Sequence, residues 1–140
     1  MTDLHVLPAD GVDRDTVLEH GELIEAIELG PPAPHSAYIK VRERESYEYA
    51  LVSAAATVQL GDGRRIESAR IALGSVALRP WRMTEAERRI EGFAPDDPAV
   101  TRALDIALAQ AHPVPGSAYK LAIARGAARR ALLTAAGVRQ

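Results

Sequence analysis

The sequence predicts an α+β protein: an antiparallel sheet of three to four strands, then a cluster of about three helices. Three observations predict it. Apolar residues alternate with polar ones, period two, from Ser36 to about Val76. Helical spacing replaces that alternation from about Thr84 to the end. Turn signals, among them Gly61-Asp62-Gly63, fall between the alternating segments.

Residues 1–20 are polar, carry Pro8, Gly11 and several aspartates, and read as an arm or linker. Residues 21–140 read as one domain. Leu23-Ile24-Glu25-Ala26-Ile27-Glu28-Leu29 has the composition of a short strand. Gly30-Pro31-Pro32-Ala33-Pro34 ends it, because proline donates nothing to a ladder. From Ser36 to Arg44, Ile39 and Val41 share one face and Tyr38, Lys40, Arg42 and Arg44 the other. From Ala50 to Leu60, Val52, Ala54, Ala56, Val58 and Leu60 share a face, with Ser53, Thr57 and Gln59 opposite. Its alanines also suit a helix, but the Gly-Asp-Gly that follows favours a hairpin. The partner strand runs from about Arg65 to Val76, with Ile71 and Leu73 inward.

The helical half has its own punctuation. Thr84-Glu85-Ala86-Glu87 has the form of a capping box, and Gly92 suits the exit of that short helix. Asp97 followed by Pro98 predicts an N-cap with proline at the first helical position. Val100, Leu104, Ala107, Leu108 and Ala111 make one stripe, stopped by Pro113 and Pro115. A last helix starts at Ser117. Leu121, Ala124, Ala128, Ala131, Leu132 and Ala135 are its buried side, and its small residues suit close helix-to-helix contact.

At 140 residues the chain is long enough to bury a real core. A formal net charge of −2 argues against bulk nucleic-acid binding. The absence of cysteine excludes disulfides, thiolate nucleophiles and Cys-ligated zinc or iron–sulfur clusters within the chain. The first residues lack a basic flank and an apolar run, so no signal peptide is expected, and no stretch is long and apolar enough to span a bilayer. A cytoplasmic location is expected, although export in company with a partner subunit fits the same sequence.

Little of the chain looks like chemistry. His5, His20, His35 and His112 stand at no metal-ligand spacing and read as surface or cap residues. Gly61-Asp62-Gly63 is too short to cradle a pyrophosphate. Lys40, Arg42 and Arg44 form the notable constellation, about 6.6 Å apart in a row if all three lie on one strand. Such a row suits phosphates or an electron-rich ring; a solvated basic face is the plainer reading. Trp81, within Arg79-Pro80-Trp81-Arg82, reads either as an interface anchor or as a cover over the sheet–helix junction, the latter being the simpler. Lys120, Arg125, Arg129 and Arg130 read as a solvated helix face.

Two segments carry a resemblance: Tyr38 to Ala54, with Lys40-Val41-Arg42-Glu43-Arg44-Glu45-Ser46-Tyr47-Glu48 at its centre, and Ala69-Arg70-Ile71-Ala72-Leu73-Gly74-Ser75 running to Arg79-Pro80-Trp81-Arg82. Around them Val17-Leu18-Glu19-His20-Gly21-Glu22-Leu23-Ile24, Gly61-Asp62-Gly63, Glu87, Gly92 and Tyr119-Lys120-Leu121-Ala122 fall in the same order. The ordered set, from about Asp15 to Leu133, resembles the C-terminal domain of the FAD-binding medium subunit of molybdenum hydroxylases, the xanthine dehydrogenase, CO dehydrogenase and aldehyde oxidoreductase group. The run at 40–48 is especially similar to that of bacterial aldehyde oxidoreductases. His20 stands where that family usually has proline, and Ser75 where it commonly has a second glycine.

The resemblance implies a domain that helps close the flavin site and assemble an electron-transfer complex, without catalysis of its own. It implies FAD held mainly by a flavin-binding region absent from this chain. It also implies a molybdenum cofactor and iron–sulfur clusters on partner large and small subunits. By the same resemblance Ile24 matches an aliphatic residue packing near the isoalloxazine, and Lys40 a lysine near the flavin ring. A cation there favours the reduced, anionic ring. The alternative expectation is a freestanding binding or assembly module of the same fold that has lost flavin.

Overall fold

The computed structural model describes residues 4–7 and 9–138. Backbone contacts divide the chain into a unit ending at Pro32 and a unit beginning at Ala33.

The second unit holds a four-stranded antiparallel sheet in the order β1 (Ser36–Val41), β2 (Val52–Leu60), β3 (Ile66–Gly74) and β4 (Trp81–Arg82). Three helices follow: α1 (Thr84–Ile90), α2 (Pro98–Leu108) and α3 (Tyr119–Ala135). Sheet first and helices after is the α+β order that the alternation predicts. One face of the sheet carries the core. Val52, Ala54, Ala56, Val58, Ile71 and Leu73 point there and are buried. They meet Met83, Ala86 and Ile90 around α1, Val100 and Leu104 of α2, and Ala128, Ala131 and Leu132 of α3. The small residues of α3 let its backbone approach closely, but mainly toward β1 and β2 rather than toward α2. Alanine on helix meets alanine on strand, a helix-to-sheet contact where helix-to-helix contact is expected from sequence.

The hairpin between β2 and β3 is longer than a two-residue turn. Gly61 to Arg65 form a loop with a 3-10 turn over Asp62–Arg64, and Gly63 adopts φ +62°. A bulge accompanies it: Gln59 pairs with Ser68 and Leu60 with Ile66, leaving Glu67 without an opposite residue. The extra residue switches the phase of β3, so Ile66 and Ala69, three apart, both face the core.

Three expectations fail for physical reasons. The run from Leu23 to Leu29 is not a strand here. Its residues form no regular element and all are exposed, and the fourth strand is the short Trp81–Arg82. Strand preference is a preference for packing between neighbours, and this run has none among the described residues. The capping box at Thr84 is also absent. The residue before α1 is Met83, with no side-chain cap. Glu87 is buried and turns its carboxylate elsewhere: Oε1 accepts from the backbone N–H of Ile71 (2.7 Å), and both oxygens accept from Arg82 (2.9 and 2.7 Å). These bonds to Glu87 hold the Arg82 guanidinium above its ordinary value, so it stays charged. A backbone donor at the sheet edge and a guanidinium outbid a local cap. Thirdly, Ser117 donates its hydroxyl back to the Val114 carbonyl (2.8 Å), and α3 begins at Tyr119.

Other signals hold. Asp97 caps α2, accepting from Ala99 N–H at 2.7 Å, with Pro98 in the first turn. Gly92 adopts φ +81° at the exit of α1. There Gly92 N–H donates to Ile66 O (2.8 Å) and Ile66 N–H to Phe93 O (2.9 Å), tying the helix exit to the start of β3.

Candidate cofactor-facing site

The outer sheet face, away from the helices, is where Lys40 lies. Register fixes its neighbours. Tyr38, Ala55 and Ala72 are in line across β1, β2 and β3; so are Lys40, Ser53 and Gly74. Alternation places all six on the face opposite Ile39, Ala54 and Leu73. Beyond Tyr38 and Lys40 these two rows are small on β2 and β3, while Arg70, in line with Thr57, and Arg82, opposite Ala72, lie on the same face. Ser53 is nevertheless buried, and a Cβ on Gly74 would run into its Oγ. Glycine at 74 permits that close approach with the serine hydroxyl as it stands. The next residue, Ser75, adopts φ +62°, a left-handed conformation that glycine takes at no steric cost.

The expected row of three cations does not form. β1 ends at Val41, so only Lys40 is on the strand. Arg42 and Arg44 lie in the connection to β2. There Arg44 N–H donates to Glu48 Oε2 (2.7 Å), Arg44 Nη2 to Tyr47 O (2.9 Å), and Tyr47 adopts φ +51°. Lys40 Nζ donates to the backbone carbonyl of Glu48. The ammonium is thus positioned by a neutral acceptor, with two of its three N–H groups left. No carboxylate pairs with it among the described residues.

Ile24 belongs to the unit that ends at Pro32 and is 56% exposed. Lys40 belongs to the unit from Ala33. The α3 side of β1 opens into a cleft of about 590 Å³, lined by Ile39, Lys40, Val41, the 42–45 turn, Ile123, Gly126, Ala127 and Arg130. Trp81 is half-buried against the core and lines a second cavity of about 360 Å³ with Leu121 and Lys120. That is the sheet–helix junction role. Arg125 pairs with Asp105 (3.3 Å) and Lys120 Nζ reaches Ser75 O (3.3 Å), so the cations of α3 are not a uniformly solvated face. Among the described residues no group of three or more His, Cys, Asp or Glu side chains is placed to hold a metal ion. No described helix is long and apolar enough to cross a membrane.

Sequence reasoning missed Ser53 and Gly74. The available signal was a glycine inside a strand pattern, which marks close backbone or side-chain approach.

The fold is thus an α+β domain whose outer sheet face carries the exposed Lys40. Residues 37–135 match the CO dehydrogenase flavoprotein C-terminal domain, and the chain belongs to that family. It is therefore a flavoprotein-subunit domain of the molybdenum hydroxylase kind. It is 38% identical over 126 residues to the aldehyde oxidoreductase FAD-binding subunit PaoB of Escherichia coli (strain K12), a match covering 89% of this chain and 36% of that subunit. It is 35% identical over 103 residues to the carbon monoxide dehydrogenase medium chain of Afipia carboxidovorans, covering 73% of this chain and 35% of that one. Among solved structures, the reconstituted CO dehydrogenase from Oligotropha carboxidovorans superposes with a TM-score of 0.74 at 32% identity, over 89% of this chain and 45% of that chain. The chain spans about a third of the length of the curated relatives it matches.

Proposed function

We propose that this chain closes one side of an FAD site in a molybdenum hydroxylase, and that it does so without catalysing a reaction by itself. The observation that carries the reading is Lys40: a cation on the outer sheet face, positioned by Glu48 O and with no carboxylate partner among the described residues. Ser53 beside it is buried, but Ala55 and Ala72 in the adjacent row are small and at least partly exposed, so this face fits the edge of a flat ring such as a flavin. FAD, when bound, supplies the electron-accepting ring. Lys40 supplies positive charge near that ring and a donor to its electron-rich edge. Ile24 supplies apolar contact at the isoalloxazine. The main binding loops for FAD come from a flavin-binding region of the same enzyme. The molybdenum cofactor and iron–sulfur clusters sit on large and small partner subunits. Neither nucleic acid nor membrane is a partner in this reading, and the assembly is cytoplasmic.

The test is the assembled enzyme carrying Lys40→Ala. Its flavin reduction potential or its turnover with the electron acceptor changes, and Lys40→Arg restores part of the change. Identical potential and turnover in Lys40→Ala would remove this residue from the flavin site. If the chain neither joins a flavin-binding region nor alters its flavin absorbance, a freestanding module without flavin replaces this reading.

A further inference from the structure

We infer that residues 22–29 are a β-strand that completes a sheet of the flavin-binding region, an inference that rests on the flavoprotein-subunit reading above. The segment is built like a strand. A turn launches it: Glu22 N–H donates to Glu19 O (3.1 Å), Glu19 N–H to Glu22 Oε2 (2.7 Å), and Gly21 adopts φ +90°. Gly30-Pro31-Pro32 stops it. Between those ends, Leu23, Ile27 and Leu29 fall on one side of an extended chain with Glu25, and Ile24 and Ala26 on the other with Glu28. Aliphatic residues on both sides suit a strand inside a sheet covered on both faces.

That strand has no sheet here. Leu23 is 89% exposed, Ile24 56%, Ile27 62% and Leu29 87%. From Leu23 to Leu29 no backbone hydrogen bond is made to any described residue. Four large aliphatics in eight residues, with their ladder groups free, are an aggregation hazard unless another chain or region covers them. Similarity says what the cover is. The family domain begins at Ala37, yet the match to the PaoB subunit runs 126 residues, more than the unit from Ala33 onward contains. The match to CO dehydrogenase also spans 89% of the chain. The arm is thus shared with FAD-binding subunits whose remaining length lies outside this chain. Strand addition combines main-chain hydrogen bonds with pockets for alternate side chains, and this segment supplies both.

The experiment co-expresses the full chain with a tagged probe, the portion of the PaoB FAD-binding subunit that this chain does not match. The native chain copurifies, and amide exchange at residues 23–29 slows in the complex. Ile27→Asp combined with Leu29→Asp weakens binding at least about a hundredfold, as expected for two aliphatic side chains losing their burial. Leu78→Asp, an exposed aliphatic of the domain, leaves binding unchanged. A complex equally tight with the double variant overturns strand addition and leaves the flavoprotein reading standing. No complex with either version overturns both. A dimer of the native chain that the double variant abolishes, without protection by the probe, overturns the inference in favour of a second copy as occupant. An arm-dependent complex whose flavin ignores Lys40→Ala upholds strand addition and removes the flavin contact.

Discussion

Replacing Glu87 by alanine is expected to destabilise the domain by about 2–4 kcal/mol, although Glu87 lies on a helix of only seven residues. The magnitude follows from what its carboxylate holds. Ile71 is fully buried, and its N–H points at Glu87 Oε1 from the edge of β3. Without that acceptor the donor is orphaned, at a cost of about 1–3 kcal/mol. The pair with Arg82 adds less. Its guanidinium side is 46% exposed, so solvent screening holds the loss to about 1 kcal/mol. Glu87→Gln keeps an amide oxygen for Ile71 N–H and loses the charge, so about 1–2 kcal/mol is expected. Urea unfolding followed by far-UV circular dichroism measures both, and the alanine variant melts roughly 10–20 °C below the parent. An alanine variant within about 0.5 kcal/mol of the parent, or one no worse than the glutamine variant, would refute the assignment of the main cost to the backbone donor.

Ser75→Gly is expected to stabilise the domain by about 0.5–1 kcal/mol, since relief of a left-handed serine exceeds the entropy that glycine gives up; the same urea titration reads it. Glu85 accepts from Arg88 and Arg89, both at 2.7 Å, and these hydrogen bonds hold its carboxyl below the ordinary value of 4.5. A lowered carboxylate contributes stability above its unfolded value and loses it as pH falls through the lower folded value. The acid limb below about pH 4.5 is therefore shallower in Glu85→Gln, and carbon-detected titration of the Glu85 carboxyl shows the lowered midpoint.

The sheet is legible in the sequence because its alternation is long and one-sided. Ile39, Val41, Val52, Ala54, Ile71 and Leu73 each fall on the face that their spacing assigns. So is α2, whose Asp97-Pro98 start is a local signal read from neighbouring residues. What the sequence hides is the choice between local and distant partners. Thr84 and Glu87 spell a capping box, but Ile71, sixteen positions away, takes the carboxylate. Lys40, Arg42 and Arg44 share one period, but Val41 ends the strand and Glu48 gathers both Lys40 and Arg44 into the turn that follows. Leu23 to Leu29 carries a strand's composition without a neighbouring strand among the described residues, and composition does not carry the pairing that makes a strand. Of the candidate site, the outward face of Lys40 is readable from alternation, whereas its isolation from carboxylates is not.

Ser53 and Gly74 sit opposite each other in the row that contains Lys40. A Cβ at 74 would collide with Ser53 Oγ while leaving Ser53 Cβ at ordinary contact distance, so a larger residue there requires the serine hydroxyl to turn away or a smaller residue at 53. Coupled variation at this pair across related sequences is therefore a record of steric fit. It carries no information about redox chemistry, despite its place in the row that contains Lys40, and a search for functional coupling on this face has to discount it first.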